Sequence, residues 1–136
     1  MILSAARSVL VAALLLGAAA PATRADPEVD YLLHCSGCHM PDGTGLDQVV
    51  PTLHDVIGRM VAEPRGRAYI VRVPGVSQAP INDRKLAEVI NWMLTEFNSK
   101  TLPKGFNPLS ENEVAEARSR VLADPLKYRA TLWPDY

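Results

Sequence analysis

Apolar positions in this chain fall into one continuous block at the start and then into stripes spaced by three and four residues. The longest stripe is Leu86, Val89, Ile90, Met93, Leu94 and Phe97, one face of a helix. Arg84, Lys85, Glu88, Asn91 and Glu96 take the other face, Trp92 borders the stripe, and Asn82 or Asp83 is placed to cap it. Leu53, Val56, Ile57 and Met60 predict a shorter amphipathic helix, limited by Gly58 and Pro64, with His54 and Asp55 on its polar side. Val29, Leu32 and Leu33 predict a third helix, capped by Asp26 with Pro27 in its first turn. Tyr31 and His34 lie off that stripe. Ala68 to Val73 fits either a short helix (Tyr69, Ile70, Val73) or a strand (Val71), between an Arg65-Gly66-Arg67 turn and the breaker Pro74-Gly75. Ser110 with Glu113 is a capping-box pattern that predicts a helix to about Ala123, with Val114, Ala117, Val121 and Leu122 as a thin apolar stripe. Asp124-Pro125 ends it, and the tail residues Leu126, Tyr128, Leu132, Trp133 and Tyr136 are apolar enough to pack back on the core or to dock a partner.

The opening apolar block, Val9 to Ala20, behind the charged Arg7, reads as the core of a secretory leader. Thr23 and Ala25 place a cut before Asp26, making residues 1–25 the signal peptide; Ala20 and Ala22 offer a rival cut after Ala22. A block of about 12 residues is short for a spanning helix, which needs about 20, so no stable membrane span is expected after cleavage; an uncleaved anchor is the alternative. Without Arg7 and Arg24 the mature chain holds 12 basic against 15 acidic residues, a net charge of −3. No basic stripe forms, which speaks against a nucleic-acid partner. The expected domains are 26–98 as the core unit and 99–136 as a linker and C-terminal extension, the linker carrying Pro103, Gly105 and Pro108.

The chemistry concentrates in Cys35-Ser36-Gly37-Cys38-His39. Cys-x-x-Cys-His is the attachment signature of a c-type haem. Two thiols separated by two residues reach two vinyl groups on one edge of the porphyrin, and the next residue, His39, is held under the iron. Structural zinc needs four ligands, whereas Cys35 and Cys38 are the only cysteines. A thioredoxin-like redox pair needs a βαβ context that the stripes do not supply. The cofactor expected is one covalently bound haem c, with Cys35 and Cys38 as thioether positions and His39 as proximal iron ligand. Export and haem attachment support each other, because bacteria attach haem to this motif outside the cytoplasm, and a periplasmic location follows.

From about Asp30 to Phe97 the chain resembles a class I monohaem cytochrome c. The resemblance lies in Tyr31 ahead of the motif, Pro51-Thr52-Leu53 after it, and the helix around Asn91-Trp92-Met93-Leu94. It implies an all-α small cytochrome c fold around one haem, here with a C-terminal helical extension, and it favours helix for residues 68–73. It also implies that the Pro51 carbonyl accepts the second imidazole nitrogen of His39, since a ligand histidine needs its other nitrogen oriented. The implied role is one-electron carriage rather than catalysis, with a periplasmic dehydrogenase or a terminal acceptor as partner.

The family's sixth ligand is a methionine in the loop before the last core helix, but here Val73-Pro74-Gly75-Val76-Ser77-Gln78-Ala79-Pro80 holds neither methionine nor histidine. Met40 adjoins His39 and cannot reach the opposite face. Met93 sits on the core stripe, which leaves Met60 as the remaining thioether, itself on a stripe where core packing competes, and His54 as a weaker candidate. The alternatives are a five-coordinate open iron in a haem sensor or peroxide-handling protein, or a haem-bearing docking subunit of a larger redox enzyme.

Overall fold

The protein, as a computed structural model, is described over residues 26–46 and 49–134. The expected signal peptide lies outside the described residues. Every regular element among them is helical, and the only extended pairing among them is an isolated bridge between Leu46 and Val50, so the fold is all-α. In chain order the helices are α1 (Pro27–His34), α2 (Ser36–His39), α3 (Ile57–Met60), α4 (Pro64–Arg72), α5 (Pro74–Ser77), α6 (Asp83–Asn98), α7 (Glu111–Arg118) and α8 (Pro125–Leu132).

Helix α6 is the axis of the fold. The Asn82 side chain caps it by accepting the Lys85 amide at 2.9 Å, and all six residues of the predicted stripe are buried. Helix α1 packs on it, as do α3 and α7, and α4 packs on α7. Burying a Leu or Ile completely stabilises the fold by about 1.5–3 kcal/mol, so this stripe dominates the core.

Helix α1 starts where the sequence places it: Asp26 accepts the Glu28 amide at 3.0 Å and Pro27 takes the first turn. Its buried face is the reverse of the one expected. Val29, Leu32 and Leu33 are exposed, Leu33 at 70%, while Asp30 and Tyr31 are buried. The reason is aromatic and ionic: the Tyr31 ring packs at 5.2 Å on Trp92 and 5.5 Å on Phe97, and Asp30 pairs with Lys85 of α6. The predicted helix over 53–60 contracts to the single turn of α3, because Asp55 takes a left-handed conformation (φ 56°) that interrupts it. Its apolar positions Leu53, Ile57 and Met60 still point inward.

Residues 68–72 are helical and Val73, extended at ψ 132°, ends the helix; α4 also begins earlier than the predicted Arg65-Gly66-Arg67 turn, with Pro64 at its first position. Gly66 lies so close to the Met60 carbonyl that no Cβ fits, which sets the α3–α4 approach.

The residues after α6 are fastened to it. Asn91 donates to the Leu109 carbonyl at 2.9 Å and accepts its amide at 2.8 Å, satisfying the backbone of a buried residue. Ser110 caps α7 by accepting the Glu113 amide, while the Glu113 carboxylate forms a bidentate pair with Arg67 at 2.7 and 2.8 Å. Helix α7 stops at Arg118, short of Ala123, and Val121 is exposed. Leu122 is buried beyond the helix and donates its amide to the Arg72 carbonyl. The sequence reading of Asp124-Pro125 as a stop misses α8, for which Asp124 is the cap and Pro125 the first residue. Tyr128 stacks on Tyr69 at 6.2 Å and Trp133 meets Tyr69 edge-on at 5.8 Å, whereas Leu126 is 69% exposed. Tyr136 lies outside the described residues.

Candidate haem site

The motif is one continuous helical turn. Cys35 ends α1, donating its amide to the Tyr31 carbonyl at 2.8 Å, and its own carbonyl accepts the amides of Cys38 and His39. A three-residue separation on such a turn puts both cysteine side chains on one face. Neither is in a disulfide; Cys35 is half-buried and Cys38 exposed. Burial, reinforced by the neighbouring Cys38, pushes the Cys35 thiol up to about 11.

His39 closes the turn. Its Nδ1 lies 3.1 Å from the Pro51 carbonyl oxygen, and an acceptor there requires Nδ1 to carry the hydrogen. The lone pair is then on Nε2, the arrangement a metal-binding imidazole needs. Burial lowers the histidine's pKa and the Pro51 bond works against that, so burial governs and favours the neutral ring. The chain leaves through Met40 in a left-handed conformation (φ 57°), and the Tyr31 hydroxyl donates to the Met40 carbonyl at 2.7 Å. Burial pushes that hydroxyl's pKa up to about 12.

The Pro51 carbonyl is carried by a segment pinned on several sides. The Leu53 amide donates to the Gly43 carbonyl at 2.9 Å, and His54 donates from Nε2 to the Asp42 carbonyl at 2.6 Å with its ring against Phe97. The Asp55 amide donates to the Phe97 carbonyl at 3.1 Å. Asn98 donates to the Leu53 carbonyl and accepts the Gly58 amide, both at 2.9 Å. Tyr31 and Asn98 are supports that spacing alone did not single out. A usable signal exists for Asn98: it lies four residues after Leu94 and extends an apolar face with a polar group.

The structure brings Cys35, Cys38, His39 and Pro51 together. Met60 is 1% exposed within the hydrophobic core, Met93 is buried there too, and His54 is engaged by Asp42. The segment before α6 is held from α7: the Arg118 guanidinium donates to the carbonyls of Ser77, Ala79 and Ile81 and pairs with Asp83 at 2.8 Å. The thiol pair on one turn and an imidazole with one nitrogen fixed fit a haem as a chemical donor set.

With that geometry goes membership: the chain belongs to the monohaem c-type cytochromes, electron-transfer proteins rather than enzymes, which hold haem c covalently. It is similar to a cytochrome c-552 of Thermus thermophilus, 31% identical over 131 residues that cover 83% of this chain and 87% of the relative. A second cytochrome c-552 from Thermus thermophilus is 28% identical over 106 residues, covering 65% of this chain and 81% of the relative. No family model matches the chain.

Proposed function

We propose that this chain is exported, carries a single haem on Cys35 and Cys38 with His39 as axial ligand, and passes electrons one at a time between periplasmic redox proteins. A dehydrogenase as donor and a terminal acceptor are the partners this reading implies. The leader at residues 1–25 supports export, and among the described residues no helix is long and apolar enough to cross a membrane. The observation that carries the reading is the contact between His39 Nδ1 and the Pro51 carbonyl at the end of the Cys-x-x-Cys turn. A fixed Nδ1 presents Nε2 in a single direction.

When bound, the haem supplies a couple between Fe(II) and Fe(III). Cys35 and Cys38 would hold the macrocycle and His39 Nε2 the iron. The chain does the rest. The Pro51 carbonyl makes His39 a more basic ligand and fixes its ring plane. The Tyr31 hydroxyl holds the turn after the ligand, and the exposed Cys38 would hold the group from a position that a partner can approach.

The burial of Met60 favours a second reading for the sixth position, in which the iron is open to small exogenous ligands, as in a sensor or a peroxide-handling protein. The first reading is tested by producing the full chain in a host that attaches haem c. The expected product is found in the periplasm and keeps its colour through denaturation, and the double variant C35A/C38A loses it. Haem that extracts into acidic solvent from the unaltered chain would overturn the reading. Carbon monoxide separates the two states of the iron: rapid binding to the ferrous protein marks the open site.

A further inference from the structure

We infer that Asn98, at the end of α6, is a positioning residue for His39, acting through the segment that carries the Pro51 carbonyl. Asn98 is fully buried, which is costly for an amide unless its hydrogen bonds are made. It makes its two 2.9 Å bonds outside its own helix. Nδ2 donates to the Leu53 carbonyl, and Oδ1 accepts the Gly58 amide. Its contact with the Met93 carbonyl in its own helix is longer, at 3.4 Å.

These bonds fall on either side of Asp55, where the chain turns through a left-handed conformation. The Phe97 carbonyl holds the Asp55 amide between them. Gly58 permits the approach, because a Cβ there would collide with the Asn98 Cβ and the Thr101 hydroxyl. Pro51 is exposed and has no N–H of its own, so its carbonyl is placed by its neighbours: before it the Val50 amide donates to the Leu46 carbonyl at 2.9 Å, and after it the chain is held at Leu53. Leu53 is fixed by Gly43 through its amide and by Asn98 through its carbonyl. Without Asn98 the carbonyl side of that clamp opens, and the bond that orients the imidazole loosens with it.

This inference rests on the haem reading and is tested in the holoprotein with N98D. The carboxyl has the shape of the amide. Protonated, it can still donate to Leu53 and accept from Gly58; ionised, it only accepts and sets a negative charge against the Leu53 carbonyl. Two readouts follow pH: solvent exchange of the His39 ring N–H, by NMR of the ferrous protein, and the reduction potential. Wild-type behaviour is expected in acid. Once the carboxyl ionises, exchange becomes roughly tenfold faster; the potential moves upward in the uncharged N98S, because a weaker N–H···O bond leaves a less basic ligand, whereas in N98D the new negative charge opposes that rise. V114A, which opens a cavity between α7 and the core, lowers stability and leaves both readouts at the wild-type value. N98S, which lacks the reach to Leu53, shows fast exchange at every pH and serves if N98D folds poorly. Wild-type exchange and potential in the Asn98 variants, or the same change in V114A, would overturn the inference. Failure of the haem reading is separate and visible earlier, as a wild-type chain without haem absorption.

Discussion

The imidazole of His39 is subject to two opposed influences, burial that drives the proton off and the Pro51 carbonyl that helps retain it. Burial is the larger, so its pKa lies below that of a free histidine. The sign for stability follows from proton binding: with the folded value depressed, the unfolded chain binds more protons in the range between the two. Haem-free protein should therefore lose stability as pH falls from about 7 to 5, through the usual imidazole range. Chemical denaturation of C35A/C38A at both pH values measures this, and adding His39→Asn should remove that part of the slope; an unchanged slope would contradict the assignment. At this scale the motif was open to reading because Cys35, Cys38 and His39 are neighbours, and their spacing is their chemistry. The bonding roles of Asn98 and Tyr31 were not, since their partners lie far away in sequence or are backbone carbonyls, which local periodicity does not encode.

Among the elements, α6 could be read completely from its stripe, because a long helix buried along one side leaves an unambiguous period. Helix α1 could not. Val29, Leu32 and Leu33 share a face, but a shared face does not say what it meets, and the ring stacking of Tyr31 on α6 decides which side turns inward. Two substitutions check the orientation. L33N should change unfolding free energy by less than about 0.5 kcal/mol, and Y31A should cost about 3–5 kcal/mol. Equal costs would contradict this docking of α1. The α4–α7 contact makes a pH-dependent prediction. Arg67 holds the Glu113 carboxyl below its usual value through a bidentate bond, with burial opposing. That contribution is present above the ordinary glutamate value and is lost as pH falls through the depressed one. Because the pair is partly solvated, R67A should cost about 1 kcal/mol at neutral pH and less in strong acid, as read from urea midpoints.

Over the whole molecule, one helix organises two jobs. The inner face of α6 builds the core and its last residues, Phe97 and Asn98, hold the segment beside His39. The chain beyond α6 returns to it through Asn91 and Leu109, and Arg118 closes the segment that leads into α6. The sequence signalled this return through its apolar tail. The anchors were hidden, being asparagine and arginine side chains bonded to backbone groups that no stripe reveals. Electron carriage by this chain requires Cys35, Cys38 and His39 to act together as a haem attachment site. Its most direct test is the mass and thiol content of the denatured, exported chain. The predicted result is a chain without its leader that carries the mass of one haem and has no thiol left to alkylate. A chain of unmodified mass with both cysteines reactive would contradict it.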